Sequence, residues 1–196
     1  MSKFIVVEGP DRVGKATQTK ILASFLKELG YKVLTNEVPL KSNFVYHVIY
    51  WMLGNGLAKK FPKIFQWLQY FNRQIFQWTK LPHYEKEYDF IIMDRWSLST
   101  VVYGMATGVP KDFTKKLYDR LKKPNYTIIL LGPSHKHDVE DVYEADSELQ
   151  KRVRELYSSW ANENLKDSSV VNCSKERQEV SLEIIENLVS SGIIKR

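Results

Sequence analysis

The chain has 196 residues, a formal net charge of +6 and one cysteine, Cys173. Hydrophobic residues make up 43% and charged residues 27%, which predicts a soluble globular protein with one domain and its own core. A single cysteine excludes an internal disulfide and favours a reducing compartment. The positive charge suits a protein that handles anions, but it does not distinguish nucleotides from nucleic acid.

The N-terminus and the longest apolar run both argue against export or a membrane location. A predicted core strand begins at about residue 4, which leaves no room for a signal peptide. Residues 44–53 are apolar but too few to cross a bilayer. We therefore expect a cytoplasmic protein with no membrane contact.

A glycine-rich loop follows the first predicted strand, residues 4–7, and precedes an amphipathic stretch, residues 17–29. Residues 9–17, GPDRVGKAT, have the spacing GxxxxGK. In such a loop the backbone N–H groups and the helix N-terminus face phosphate oxygens, and Lys15 extends to the outer phosphates. Ala16 stands where a Ser or Thr hydroxyl normally binds Mg²⁺. We predict a nucleotide-phosphate site; the alternative is a chance glycine turn before a helix.

Strands and helices are predicted to alternate along the rest of the chain. Unbroken apolar runs indicate strands buried on both faces, and amphipathic stretches indicate helices. Together they predict a parallel sheet covered by helices on both faces. The predicted strands are residues 4–7, 31–35, 90–93, 126–131 and 170–172, and the predicted helices are residues 17–29, 44–53, 61–80, 98–105, 111–121, 147–163 and 178–189.

Asp94 and Arg95 follow the buried strand at residues 90–93. Ligands of open α/β sheets bind at the carboxyl ends of strands, where these two side chains are expected beside the glycine-rich loop. An aspartate there can hold Mg²⁺ directly or through water, and an arginine can bind a phosphate with two hydrogen bonds. The alternative is a structural ion pair at a strand end.

Several motifs in this order resemble the thymidylate kinase family, which belongs to the P-loop nucleoside monophosphate kinases. The resemblance extends through most of the chain. The motifs are residues 4–18, with Glu-Gly-x-Asp at the start of the loop and Thr-Gln after it; Asn72-Arg73; Asp94-Arg95-Trp96 followed by Ser99 and Tyr103; Tyr143-Glu144 with Gln150 beyond; and Asn172-Cys173-Ser174.

The resemblance implies a three-layer P-loop NTPase fold of class α/β, with a five-stranded parallel sheet flanked by helices. It implies a single kinase domain over residues 1–196, with a short lid at about residues 133–146. It further implies ATP as the phosphoryl donor, Mg²⁺ as the cofactor, a pyrimidine deoxynucleoside monophosphate as the acceptor, and a homodimer. The dimer would explain the many aromatic residues between positions 44 and 78.

The resemblance also assigns roles on the donor side. The implied catalytic residues are Arg12, Lys15 and Asp94. Lys15 holds the ATP phosphates, Arg12 stabilises charge on the transferring phosphoryl group, and Asp94 holds Mg²⁺. The lid segment, residues 134–141, contains no arginine, which agrees with a catalytic arginine in the loop. The implied ATP-binding residues are Gly9, Arg12, Val13, Gly14, Lys15, Ala16, Thr17 and Cys173.

On the acceptor side, the resemblance implies that Asp11 accepts a hydrogen bond from the 3′-hydroxyl of the sugar. Arg95 and Lys41 bind the acceptor phosphate, and Arg73 donates to O4 of the pyrimidine. Tyr103 packs where a 2′-hydroxyl would lie, which favours deoxynucleotides. The implied substrate-binding residues are Asp11, Lys41, Gln69, Tyr70, Arg73, Arg95, Ser99, Thr100, Tyr103, Tyr143 and Gln150.

Departures from the family pattern leave the substrate open. Ala16 removes the usual hydroxyl ligand of Mg²⁺. Gln69 stands where the family has a phenylalanine that stacks on thymine, so either Tyr70 or Trp67 stacks on the base or Gln69 hydrogen-bonds it. The choice between dTMP and dUMP is therefore not decided by the sequence. Val142 stands before Tyr143 where an arginine is common, so fewer lid contacts to ATP are expected.

Two alternatives follow from these departures. One is a kinase that acts mainly on dUMP or on a broad range of pyrimidines, and the other is a nucleotide-binding protein with weak or lost catalysis. A GTPase-type switch is disfavoured because the chain has no Asn-Lys-x-Asp motif. The lysines of residues 111–123 are expected on the solvated face of a helix, so no nucleic-acid partner is predicted.

Overall fold

The computed structural model describes residues 2–41, 43–133, 146–163 and 167–195, without the side chains of residues 162 and 163. Its centre is a five-stranded, all-parallel sheet with the strand order β2-β3-β1-β4-β5. The predicted parallel sheet is therefore confirmed. The strands are β1 (Lys3–Glu8), β2 (Val33–Glu37), β3 (Phe90–Asp94), β4 (Tyr126–Leu131) and β5 (Ser168–Asn172).

Helices cover both faces of this sheet. Those predicted from the sequence are present, with ends within two residues of the predicted positions. The pattern did not predict α3 and α5, because helices this short carry too few turns to show an amphipathic period. The helices are α1 (Lys15–Glu28), α2 (Val45–Gly54), α3 (Leu57–Lys60), α4 (Pro62–Thr79), α5 (Leu81–Glu87), α6 (Ser97–Ala106), α7 (Lys111–Asp119), α8 (Ser147–Glu163) and α9 (Arg177–Ser190).

The strand ends differ from the prediction by one residue at β1 and β3 and by two residues at β2 and β5. β2 begins two residues late because the N–H groups of Gly30 and Tyr31 still bond to carbonyl groups of α1. It continues through Asn36 and Glu37, which are poor strand formers, because both pair with β3. β5 begins two residues early, at Ser168, because that residue already pairs with Thr127 of β4.

The core divides into two layers about the sheet. Ile5 and Val7 of β1 face α1 and α9, where they pack with Leu22, Leu26 and Ile184. Phe4 and Val6 of β1, with Ile91 and Met93 of β3, face the helices on the other side of the sheet. This arrangement confirms the predicted three-layer architecture. No helix in the described ranges has the length and apolar character needed to span a membrane.

Candidate active site

The loop between β1 and α1 lies at the carboxyl edge of the sheet. Gly9 has a φ of +144°, and a Cβ there would come within 2.4 Å of the carbonyl oxygen of Leu130. Gly14 has a φ of +94° and precedes α1, whose N-terminus has no side-chain cap. Because the first N–H groups of a helix have no partner within it, this end of α1 can bind an anion.

A cavity of about 930 Å³, the donor cavity, opens beside this loop. It is lined by the predicted donor-side residues from Arg12 to Thr17 and by Asp94 and Cys173. Gly9 does not line it; its carbonyl oxygen accepts a hydrogen bond from Nη1 of Arg95 at 3.0 Å. The structure thus brings the predicted ATP-binding residues together around one cavity, except for Gly9, which bonds to Arg95 instead.

Lys15 lies buried at the floor of the donor cavity, and its ammonium group donates to the carbonyl oxygen of Pro10. Burial lowers the pKa of Lys15 to about 8, and the charge of Arg95 acts in the same direction. Phosphate oxygens in the cavity would offset the lost hydration of the ammonium group. Lys15 is therefore placed and charged to bind a phosphate.

Asp94 extends from the end of β3 into the donor cavity. Burial raises the pKa of Asp94, although Lys15 and Arg95 oppose that effect. No group of three or more His, Cys, Asp or Glu side chains that could hold a metal occurs in the described part of the chain. A carboxylate beside a phosphate site fits Mg²⁺, which proteins commonly bind through one or two carboxylates, water and substrate phosphates.

Arg95 and Asp11 form an ion pair between the loop and the end of β3. Asp11 also accepts hydrogen bonds from the hydroxyl of Tyr103 at 2.6 Å and from Nε2 of Gln150 at 2.8 Å. Burial disfavours the ionised carboxylate, but Arg95 and Lys15 with these two hydrogen bonds outweigh it and lower the pKa of Asp11. Predicted substrate residues from distant parts of the chain therefore meet in one hydrogen-bonded cluster.

Glu8 organises the turn after β3, a role that sequence reasoning missed. It is fully buried at the end of β1. Oε1 accepts from the backbone N–H groups of Trp96, at 2.8 Å, and Ser99, at 3.3 Å. Oε2 accepts from the hydroxyls of Ser99, at 2.6 Å, and Tyr157, at 2.9 Å. The available signal was an acidic residue that ends an otherwise apolar strand.

A second cavity of about 170 Å³, the acceptor cavity, is also lined by Asp11 and Arg95. Among the predicted substrate residues it is lined by Asp11, Gln69, Arg73, Arg95, Ser99, Thr100 and Tyr103. Gln150 does not line this cavity, but it donates a hydrogen bond to Asp11, which does. Sequence reasoning missed other lining residues, which are Val38, Pro39, Tyr50, Leu53, Phe65 and Gln66.

Arg73 is held rigidly at the wall of the acceptor cavity. Its Nε donates to the carbonyl oxygen of Trp96 at 3.0 Å, and Nη1 donates to Gln69, to the carbonyl oxygen at 2.6 Å and to Oε1 at 3.0 Å. Burial lowers the pKa of Arg73 to about 10, so the guanidinium is still charged at neutral pH. A guanidinium is a donor only, so it suits a carbonyl oxygen on the ligand.

The structure corrects the placement of Tyr70 and does not bring Lys41 to either cavity. Tyr70 is buried in the hydrophobic cluster that includes Trp96, because successive helical residues differ by about 100° and Gln69 already faces the cavity. Trp67 also faces elsewhere, stacked on Phe71. Lys41 is 68% exposed and pairs with Glu37 at 3.3 Å. The predicted lid residue Tyr143, like residues 134–145 as a whole, lies outside the described residues.

Comparison with known proteins agrees with this geometry. The sequence matches the family model described as thymidylate kinase over residues 7–184. A probable thymidylate kinase 1 from Saccharolobus solfataricus is 32% identical over 189 residues, which cover 92% of this chain and 93% of that protein. A probable thymidylate kinase from Methanococcus maripaludis is 28% identical over 166 residues, covering 80% of this chain and 70% of that protein.

Solved structures of two thymidylate kinases share the fold. The Candida albicans enzyme superposes with a TM-score of 0.81 at 22% identity, covering 97% of this chain and 92% of that chain. The Ehrlichia chaffeensis enzyme superposes with a TM-score of 0.76 at 23% identity, covering 95% and 98%. These matches confirm the predicted P-loop NTPase fold. The chain belongs to the thymidylate kinase family and is a kinase that phosphorylates dTMP.

Proposed function

We propose that this kinase transfers the γ-phosphate of ATP to dTMP, with dUMP as a second acceptor, to give the diphosphate. One observation carries the proposal: the donor and acceptor cavities share a wall, since Asp11 and Arg95 line both of them. A donor phosphate beside Lys15 and an acceptor phosphate beside Arg95 would therefore meet at this wall. Phosphoryl transfer needs such positioning and charge stabilisation, and no covalent intermediate.

The residues of the shared wall support deoxynucleotides as acceptors. The guanidinium carbon of Arg95 lies 5.0 Å from the ring centre of Tyr103, and the tyrosine hydroxyl donates a hydrogen bond to Asp11. In the proposed complex Asp11 accepts from the 3′-hydroxyl, and the Tyr103 ring occupies the space of a 2′-hydroxyl. Arg12, which lines the donor cavity, stabilises the transferring phosphoryl group.

The base side of the acceptor cavity supports uracil and thymine over cytosine. Arg73 offers only donors, which match O4 of uracil or thymine and repel the amino group of cytosine. Position 69 carries glutamine and no aromatic ring, so no stacking on thymine is expected from that position. The preference of dTMP over dUMP should accordingly be small.

Mg²⁺ fits the donor site through Asp94. The ion would neutralise charge on the ATP phosphates. Ala16 contributes no hydroxyl ligand, so in the proposed site the carboxylate of Asp94 is the protein's main contact with the ion. Asp94 would hold it directly or through water.

The proposed assembly is a homodimer formed through α2 and α4. These helices pack against each other and carry most of the large apolar side chains that are exposed in the described residues. Large exposed apolar patches mark interaction surfaces. The large apolar residues exposed on these helices and at their N-terminal ends are Phe44, Val48, Tyr50, Trp51, Phe61, Ile64, Trp67 and Trp78. A cytoplasmic location and the lack of a nucleic-acid partner stay predictions.

The test is Mg²⁺-dependent release of ADP from ATP with dTMP, dUMP, dCMP, dGMP, UMP and ribo-TMP as acceptors. We expect activity with dTMP and dUMP, little with dCMP, and none without Mg²⁺. No activity with any acceptor would contradict the proposal and favour a nucleotide-binding protein that has lost catalysis. Equal activity with UMP and dUMP would contradict the role of Tyr103.

A further inference from the structure

Gln66 presents a buried amide to the acceptor cavity. Its side chain is 1% exposed and lines this cavity, yet Nε2 has no hydrogen-bond partner among the described residues. Thr100 is also 1% exposed, lines the same cavity, and has no partner for its hydroxyl in the described part of the chain. A buried polar group without a partner is costly, so two such groups facing one cavity indicate a ligand that bonds to both.

The surrounding helices keep Gln66 in this position. A Cβ on Gly104 of α6 would come within 3.3 Å of Cγ of Gln66 and within 2.4 Å of Cγ2 of Thr114. Gly104 therefore leaves space for the side chains of Thr114 and Gln66. Gln66, Gln69 and Arg73 are spaced three and four residues apart on α4, which places them on the same face of that helix.

We propose that Gln66 is a substrate-binding residue that hydrogen-bonds the imide edge of the acceptor nucleobase. This inference rests on the proposed function, because the base meets Gln66 only when a nucleoside monophosphate occupies the acceptor cavity. The imide edge of uracil or thymine carries one N–H donor between two carbonyl acceptors. A carboxamide supplies the matching acceptor and donor, and the Arg73 guanidinium supplies a further donor.

Gln66 therefore recognises the base through polar contacts at its edge. The carboxamide pairs with the base edge and is indifferent to the 5-methyl group. A ligand without a base leaves the buried amide unpaired and binds less tightly. Because a carboxamide can rotate to present either its oxygen or its N–H groups, Gln66 binds the base edge, whereas Arg73, which only donates, selects uracil or thymine over cytosine; neither contact distinguishes dTMP from dUMP.

The test compares Gln66→Met with a matched control, Gln74→Met. Gln74 lies on the same helix, is 5% exposed, also has an unpartnered buried amide oxygen in the described residues, and lines neither cavity. Methionine keeps the length and flexibility of glutamine without its polar atoms. Calorimetry measures the Kd for dTMP, dUMP and 2-deoxyribose 5-phosphate, which has no base, and scanning calorimetry measures Tm.

For Gln66→Met we expect the Kd for dTMP and dUMP to rise about 10- to 100-fold. The Kd for 2-deoxyribose 5-phosphate should stay within about twofold of wild type, because that probe has no base edge. The Tm of the free protein should rise by about 2–4 °C, because a buried unpartnered amide is removed. For Gln74→Met we expect the same rise in Tm with no change in any Kd.

Two results would overturn the inference. One is an unchanged Kd for dTMP in Gln66→Met. The other is an equal loss of affinity for dTMP and for the probe without a base, together with a lower Tm, which would make Gln66 structural.

The kinase assay separates this inference from the proposed function. Suppose that the wild type binds dTMP but transfers no phosphate, and that Gln66→Met loses affinity for the nucleotides only. These results would support the inference and contradict the proposed function. Normal phosphate transfer by the wild type, together with an unchanged Kd for dTMP in Gln66→Met, supports the proposed function and contradicts the inference. A wild type that binds no nucleotide contradicts both.

Discussion

Replacing Glu8 tests whether one buried carboxyl group holds the acceptor side of the site together. Its two oxygens accept four hydrogen bonds: two from the backbone N–H groups of Trp96 and Ser99, and two from the hydroxyls of Ser99 and Tyr157. The two kinds of donor differ in one respect. A hydroxyl can rotate to become an acceptor, whereas a backbone N–H cannot.

Glu8→Gln should be tolerated and Glu8→Ala should not. The amide oxygen of glutamine can keep the two backbone N–H groups, and the hydroxyls of Ser99 and Tyr157 can turn to accept from its nitrogen. We expect a loss of about 1–3 kcal/mol in the free energy of unfolding, since bonds to a charged group are stronger than neutral ones. Alanine leaves two buried N–H groups unpaired and a cavity, which costs about 3–5 kcal/mol.

Scanning calorimetry measures both losses, because each kcal/mol lowers Tm by about 2–4 °C in a domain of this size. Glu28→Gln on the exposed face of α1 is the control and should change the free energy of unfolding by less than about 0.5 kcal/mol. The KM for dTMP should also rise in Glu8→Gln, because the carbonyl oxygen of Trp96 orients Arg73. Either of two results would refute this role of Glu8: a free energy of unfolding that falls no further in Glu8→Ala than in Glu8→Gln, or a wild-type Tm in both variants.

The remaining predictions concern the donor side and the assembly. Because the pKa of Lys15 is lowered to about 8, its charge is lost from the free protein as the pH rises through that value, and the Kd for ADP measured by calorimetry should rise about tenfold between pH 7 and pH 9. Above pH 8 only the unfolded chain keeps the proton on this lysine, so the free energy of unfolding should rise with pH there. A Kd for ADP that does not change between pH 7 and pH 9 would contradict the burial of this group. Arg12→Ala should lower kcat in the ADP-release assay by about 10³-fold or more with little change in KM, and an intact kcat would place the catalytic arginine elsewhere. Ala16→Ser should lower the Mg²⁺ concentration that gives half-maximal rate, whereas an unchanged value would mean that Mg²⁺ does not reach this position. Trp51→Glu, at a site 60% exposed on α2, should convert the proposed dimer to a monomer in analytical ultracentrifugation, and an unchanged sedimentation coefficient would place the interface elsewhere.

Features that depend on neighbouring residues in the chain could be predicted from the sequence. The GxxxxGK spacing and the apolar run before it identified the loop and β1, because a tight loop needs glycine at fixed positions and a buried strand needs unbroken apolar residues. The limits of β4 coincide with the prediction for the same reason. Asp94 and Arg95 were found because they end a strand of this kind.

The faces of α4 could not be predicted in this way. That helix carries aromatic residues on several sides, so its hydrophobic pattern does not indicate which side meets the cavity. Tyr70 therefore looked as suitable as Gln69 for a base contact, although it is part of the core. Gln66 carries no hydrophobic signal at all, and its place in the acceptor cavity depends on the close approach of α6 at Gly104.

The order of residues alone was enough to establish the fold class, the phosphate loop and the family, and to name many of the residues that line the two cavities. The tertiary structure was needed to show that Asp11 and Arg95 form the shared wall of two cavities and that Glu8 supports it. The reason is physical. A motif records the local backbone that a residue needs, whereas the partners of a buried polar group, such as Glu8 with Tyr157, come from segments 149 residues apart and are set only when the layers pack.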